Sequence, residues 1–165
     1  MKILVLSDSH SGLSFMRYAI SKVRPDAVVH LGDFYEDGET LAEEFPNLPF
    51  HIVPGNCDRY RNIGIHPETL CYGVCGVRFF MTHGHNHYVK SSLYSLLKDA
   101  REAGAAAALY GHTHEAYSQR EADGLWVLNP GACGSTGGSV GVIETNGKEI
   151  LSCRILRRTE LEELL

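Results

Sequence analysis

Seven polar residues stand directly after apolar runs in this chain: Asp8, His10, Asp33, Asn56, His83, His112 and His114. Ligand sites in open α/β sheets gather at the carboxyl ends of strands, where loops from neighbouring strands converge on one edge. Imidazole nitrogens, carboxylates and an amide oxygen form a mixed donor set suited to hard or borderline divalent cations, and no thiolate set competes with it. One cation would leave several of these donors buried and unpaired, which is costly, whereas two cations sharing a carboxylate use them all. The residues therefore predict a dinuclear centre bridged by Asp33. Read as extended segments, Asp8-x-His10 and His112-x-His114 each present both side chains to one side, because residues i and i+2 of a strand share a face.

The elements that must position these groups are read from apolar spacing. Lys2 to Leu6 is a continuous apolar run with β-branched residues, as in a strand covered on both faces. Leu13, Met16, Ala19, Ile20 and Val23 then recur at helical spacing, with Ser11 as the expected N-cap. Asp26 to Leu31 reads as a second strand ending at Gly32-Asp33, followed by a helix near Glu39 to Phe45. Phe50 to Val53 is a third strand, ending at Gly55-Asn56-Cys57-Asp58. Glu68 to Tyr72 and Val77 to Met81 flank a Gly-containing turn, as a hairpin would. A helix from about Val89 to Ala103, a small-residue strand Ala106 to Tyr110, and short strands between turns at Asp123-Gly124, Pro130-Gly131 and Asn146-Gly147 complete the pattern. With βαβ units first and antiparallel strands later, the expected class is α/β, a two-sheet sandwich flanked by helices, in a single domain over residues 1–165.

Composition narrows the function classes. An apolar share of 44% with 21% charged residues excludes disordered and fibrous classes. Fifteen Lys and Arg against twenty Asp and Glu give a net charge of −5, so stable nucleic-acid binding is not expected. Met1 to Leu6 is too short for a secretory core or a membrane span, which places the expectation in the cytoplasm and off the membrane. Five cysteines without Cys-x-x-Cys spacing read as free thiols, mostly buried.

Taken in order, Asp8-x-His10, Gly32-Asp33, Gly55-Asn56-Cys57-Asp58, His83-Gly84-His85 and Gly111-His112-x-His114 resemble the motif set of the calcineurin-like metallophosphoesterases, in particular the small YfcE-type phosphodiesterases. The resemblance implies a four-layer αββα sandwich of two mixed β-sheets. It implies one metal on Asp8, His10, Asp33 and His114, and a second on Asp33, Asn56, His83 and His112. Asp33, Asn56 and His83 carry catalytic roles in that pattern, and Cys57, Asp58 and His85 are expected near substrate. Asp58 also reads as a loop support or turn cap, and His85 as loop packing. Many larger relatives have His where this chain has Cys57. A thiol offers no cationic donor and is a poor acid for the leaving oxygen, so activated or aryl diesters should be cleaved better than alkyl monoesters.

The expected reaction is hydrolysis of a small-molecule or nucleotide-like phosphodiester by a metal-bridging hydroxide. Mn²⁺ is the first expectation, with Fe, Zn, Ni or Co also compatible with the donors. The alternative is a non-catalytic interaction scaffold, as in the vacuolar-sorting retromer subunit that resembles this fold but has lost ligand histidines. A repair-type nuclease needs a capping domain for which this chain has no residues. A homo-oligomer is left open, with the tail Arg154 to Leu165 read as a terminal helix or a dimer contact. His30, His51, His66 and His87 match no ligand motif and read as surface or strand-end histidines. Asp37, Glu39, Glu43 and Glu44 read as a solvated helix face, and residues 131–135 as either phosphate-facing N–H donors or a plain turn.

Overall fold

A computed structural model describes residues 1–58, 66–134 and 137–164. Its first sheet has the order β10-β9-β1-β2-β3. Here β1 (Lys2–Leu6), β2 (Ala27–His30) and β3 (Phe50–Ile52) run parallel, while β9 (Ser139–Thr145) and β10 (Ile150–Arg157) are antiparallel. The second sheet has the order β4-β5-β6-β8-β7. Its parallel centre is β5 (Val77–Thr82), β6 (Ala107–Leu109) and β8 (Trp126–Asn129), edged by the antiparallel strands β4 (Thr69–Val74) and β7 (Tyr117–Arg120).

Strand periodicity explains the layering. Side chains alternate across a sheet, so β1 sends Ile3 and Val5 to one face and Leu4 and Leu6 to the other. Ile3 and Val5 join Val29, Phe79, Met81 and Leu109 in the core between the sheets. Leu4 and Leu6 pack with Phe15, Met16 and Ile20 of α1 (Leu13–Val23) and Leu41 of α2 (Tyr35–Glu44). Phe80 and Ala108 face Leu96 and Ala100 of α3 (Tyr94–Glu102). The result is the four-layer αββα sandwich, with no helix among the described residues long and apolar enough to cross a membrane. The tail forms α4 (Arg158–Glu162), whose Leu161 is buried in the α1 layer; Leu165 lies outside the described residues.

Helix boundaries depart from the sequence reading in three places. Ser11 does not cap α1: the cap is Gly12, without a side-chain bond, and Ser11 instead sits at φ 66° and donates its N–H to Asp37. α2 starts at Tyr35 rather than Glu39, because the Asp58 carboxylate accepts the N–H groups of Phe34 and Tyr35 at 2.9 and 3.0 Å. α3 starts at Tyr94 rather than Val89: the N–H groups of Ser91 and Ser92 close a turn onto Tyr88 O at 2.9 and 3.2 Å, and the Ser92 hydroxyl oxygen accepts the Tyr94 N–H at 3.1 Å where the helix begins. The β4–β5 hairpin forms as expected, with Cys75 at φ 49° and Gly76 at φ 79° supplying the two left-handed residues of a tight turn.

Phe79, fully buried between the sheets, and Tyr94, 75% exposed on α3, make a direct test of where stability resides. Phe79→Ala should lower the unfolding free energy by about 3–5 kcal/mol. Tyr94→Ala should stay within about 0.5 kcal/mol. Urea unfolding midpoints at unchanged m-value read both.

Candidate metal centre

One donor atom from each of Asp8, His10, Asp33 and His114 lies within 4.8 Å of the others. Asp8 Oδ2 is satisfied by the Ser7 hydroxyl at 2.6 Å and the His112 N–H at 3.2 Å. Asp8 Oδ1 is buried and, among the described residues, has no hydrogen-bond donor, although His114 Nε2 stands 3.1 Å away. The rings of His10 and His114 are 5.5 Å apart, and Phe34 meets the His10 ring edge-on at 5.1 Å.

On the other side of Asp33 a second group converges. His83 is fully buried and bonds through Nδ1 to the Leu31 carbonyl at 2.6 Å. A carbonyl only accepts, so Nδ1 carries a proton toward Leu31. His83 Nε2 faces Asn56 Oδ1 at 3.1 Å and Asp33 Oδ1 at 3.5 Å, while the His112 ring lies 5.1 Å from the His83 ring. Burial, followed by the neighbouring His83 and Lys90, pushes His112 down to about 4, which keeps its imidazole neutral and its lone pair free at pH 7. Burial alone would raise the Asp33 carboxyl, but His83 and the Cys57 N–H outweigh it and hold Asp33 below the usual carboxylate range. Asp8, His10, Asp33 and His114 thus form one compact donor group, with Asn56, His83 and His112 gathered on the other side of Asp33, and this mix of carboxylate, imidazole and amide oxygen suits a divalent cation.

The backbone delivers these groups differently from the extended segments that the sequence suggested. Asp8, His10, Asp33, His112 and His114 have φ of 53°, 42°, 53°, 67° and 61°, all in the left-handed region. The i, i+2 argument therefore fails for His112 and His114, since His114 turns to Asp8 and His10 and His112 to His83, whereas Asp8 and His10 do converge, through left-handed rather than extended backbone. Such turns for non-glycine residues persist only where surrounding bonds over-determine them. Those bonds are present, with the Asp8 N–H on Gly32 O at 2.9 Å, the Gly111 N–H on His83 O at 2.9 Å and the Cys133 N–H on Ser7 O at 3.0 Å. Gly55 and Gly111 are needed for close approach, since a Cβ there would meet Asp33 Oδ1 and Ser7 Oγ respectively.

Beneath the donors runs a buried polar chain that the sequence reading missed. His30 is fully buried at the end of β2 rather than on the surface, and Asp37 is buried rather than solvated. Gly32 N–H donates to His30 Nδ1 at 3.2 Å, so Nε2–H is the donor to Ser9 Oγ at 3.0 Å, and Ser9 in turn donates to Asp37 Oδ2 at 2.6 Å. Asp37 also accepts the Ser11 N–H at 2.8 Å, which ties the Asp8-to-His10 loop to α2. Glu39, Glu43 and Glu44 are exposed, as read from the sequence. Buried Asn129 performs a similar task opposite, donating to Gly111 O at 3.0 Å and to Thr113 Oγ1 at 2.9 Å. A polar residue within a buried apolar run, as at His30 in Ala27–His30, is the signal that marks such supports.

The remaining expected residues divide. Cys57 is exposed beside Asn56, and loss of hydration followed by the Asp33 charge pushes its thiol up to about 11. His85 sits by the second group, its ring 5.4 Å from that of His83. Asp58 does not face substrate: it is buried and bonds the N–H groups of Phe34, Tyr35 and Gly55, the last at 2.7 Å, locking the Gly32-Asp33 loop to the Gly55-Asn56 loop. Within 131–134, the N–H groups of Gly131, Cys133 and Gly134 bond Asn129, Ser7 and Asp8, so this stretch is a tether; Ser135 lies outside the described residues. Of the cysteines, Cys133 and Cys153 are buried, Cys71 and Cys75 half-buried and Cys57 exposed, all free.

Comparison with known proteins agrees with this geometry. Residues 1–148 match the family model described as the calcineurin-like phosphoesterase superfamily domain. A phosphodiesterase of Methanocaldococcus jannaschii is 32% identical over 173 residues, covering 90% of this chain and 96% of that protein. A conserved protein of Streptococcus pneumoniae, described as a predicted phosphoesterase, superposes with a TM-score of 0.73 at 25% identity, covering 95% of this chain and 97% of the other. The zinc complex of Vps29 from Entamoeba histolytica shares the fold, with a TM-score of 0.70 at 19% identity over 95% of this chain and 98% of its own.

Burial, only partly opposed by Asp37 and other carboxylates, lowers His30 to about 4. Between that value and about 6.5 the unfolded chain binds a proton that the folded chain refuses, so stability falls as pH drops through this window. The loss should approach about 3 kcal/mol near pH 4. Urea midpoints of the metal-free protein across that range should show the slope, and His30→Gln should remove this part of it.

Proposed function

The chain belongs to the calcineurin-like phosphoesterase superfamily, and from that premise we propose that it is a phosphodiesterase working with two divalent cations. Asp8, His10, Asp33 and His114 would hold one, and Asp33, Asn56, His83 and His112 the other, with Mn²⁺ preferred and Fe, Zn, Ni or Co compatible. The observation that carries the reading is the convergence of donor groups on either side of Asp33, with Asp8 Oδ1 3.1 Å from His114 Nε2 and His83 Nε2 3.1 Å from Asn56 Oδ1. When bound, such cations ionise water at neutral pH and neutralise charge on phosphate oxygens.

The net reaction adds water across one P–O bond, with the hydroxyl on phosphorus and the second proton on the departing alcohol. The chain's own groups supply the orientation. Asp33 is held by the Cys57 N–H at 3.0 Å, His83 by Leu31 O and Asn56 by its place in the 3-10 turn Asn56–Asp58. The protonated Cys57 thiol is neutral and too weak an acid to assist a poor leaving group, which favours aryl or otherwise activated diesters over alkyl monoesters. A continuous core between the two sheets supports a single domain over residues 1–165, and free thiols fit the reducing cytoplasm.

Hydrolysis of bis-(p-nitrophenyl) phosphate and p-nitrophenyl phosphate by metal-stripped protein across an Mn²⁺ titration tests this function. Diester turnover should rise with Mn²⁺, exceed monoester turnover, and fall at least about 100-fold in Asp33→Asn. Stoichiometric metal binding without turnover under any divalent cation would instead support the interaction-scaffold reading.

A further inference from the structure

Beside the candidate centre lies a cavity of about 420 Å³ between the segment preceding α3 and the loop that leaves β6. A volume of this size suits one ring system of a small ligand. Val89, Leu93, Tyr110 and Tyr117 supply apolar and aromatic wall, and Lys90 and Glu115 supply the charged groups. Tyr110 and Val89 are nearly fully buried, so those walls are fixed rather than free to collapse.

Two features join this cavity to the metal donors. Thr113, which also lines it, is the residue between His112 and His114, and its hydroxyl is anchored by Asn129 and by the Glu115 N–H at 3.2 Å. Lys90 lines the same cavity as Thr113. A ligand in the cavity therefore abuts the centre on the side of a lysine ammonium, which complements an anionic phosphate in a chain whose Cys57 provides no cation.

We infer that this cavity seats one esterified group of the phosphodiester, a flat aromatic ring of nucleobase size, with Lys90 as a binding residue for the phosphate. Tyr117, only partly buried, offers a ring face to stack on, which serves any base because every base has a π-face. Glu115 offers acceptor oxygens to ring or exocyclic N–H groups. A short alkyl group would leave the tyrosine walls uncovered and gain none of these contacts. The inference rests on the diesterase reading, and binding and turnover are measured separately so that the two can fail independently.

The esters compared are thymidine 5′-(p-nitrophenyl) phosphate and methyl p-nitrophenyl phosphate, which share one leaving group and so one chemical step. In Mn²⁺-loaded protein the nucleoside ester should have the lower KM by about tenfold or more. Tyr117→Ala, which removes the stacking wall, and Ala116→Trp, which fills the cavity, should each abolish that advantage. Lys90→Ala should raise KM for both esters, and Lys90→Arg should restore it. Calorimetric titration with thymidine 5′-monophosphate against methyl phosphate should show the same preference without turnover. Equal KM values for the two esters, or a preference that survives both cavity variants, would overturn the inference. Ring-dependent binding without hydrolysis would overturn the diesterase reading and leave the cavity assignment standing.

Discussion

The crowding of carboxylate, imidazole and amide groups around Asp33 is the constraint on which this structure turns. Asp8 Oδ1 and His114 Nε2 approach to 3.1 Å, and His83 Nε2 meets Asn56 Oδ1 at 3.1 Å and Asp33 Oδ1 at 3.5 Å. The buried Asp8 Oδ1, which has no hydrogen-bond donor among the described residues, has lost the hydration it had in the unfolded chain. A cation repays that loss, and the loops must keep the donors apart until it arrives. The cost is visible in the backbone, where five donors sit in the left-handed region at roughly 1–2 kcal/mol each.

Neither sheet can build the centre alone. The ends of β1 and β2, with the loop following β3, bring Asp8, His10, Asp33 and Asn56, while β5 and β6 bring His83, His112 and His114. The shared core of Ile3, Val5, Phe79, Met81 and Leu109 therefore sets the distance between the halves of the site. Local bonds refine it: Asp58 locks two loops of the first sheet together, Asn129 secures the turn of the second, and the Ser7 carbonyl accepts Cys133 N–H beside Asp8.

The architecture was legible because fully covered strands such as Ile3 to Leu6 are apolar without interruption, and a polar residue that ends such a run marks the sheet edge. The donor residues were legible for the same reason. Their delivery was not: Asp and His enter the left-handed region more often than most residues, but only the bonds around Asp8 and His112 show that these copies do so. Asp37 was misread because helical position alone cannot tell a solvated carboxylate from one turned inward onto Ser9. His30 is the strand-end residue that the sequence suggests, and its supporting role is seen once Ser9 and Gly32 are set against it. Asp58 was read as both substrate contact and cap, and only the three backbone N–H groups around it decide for the cap.

The central claim is that Asp33 lies between two cations, and electron paramagnetic resonance of the Mn²⁺-loaded protein tests it most directly. Two ions bridged by one carboxylate, about 3.5–4 Å apart, couple magnetically. At full loading the six-line signal of isolated Mn²⁺ should therefore weaken and an exchange-coupled spectrum appear, with two ions bound per chain, and Asp33→Asn should return the isolated signal. A single ion per chain, or two that remain magnetically independent in the unaltered protein, would contradict the account.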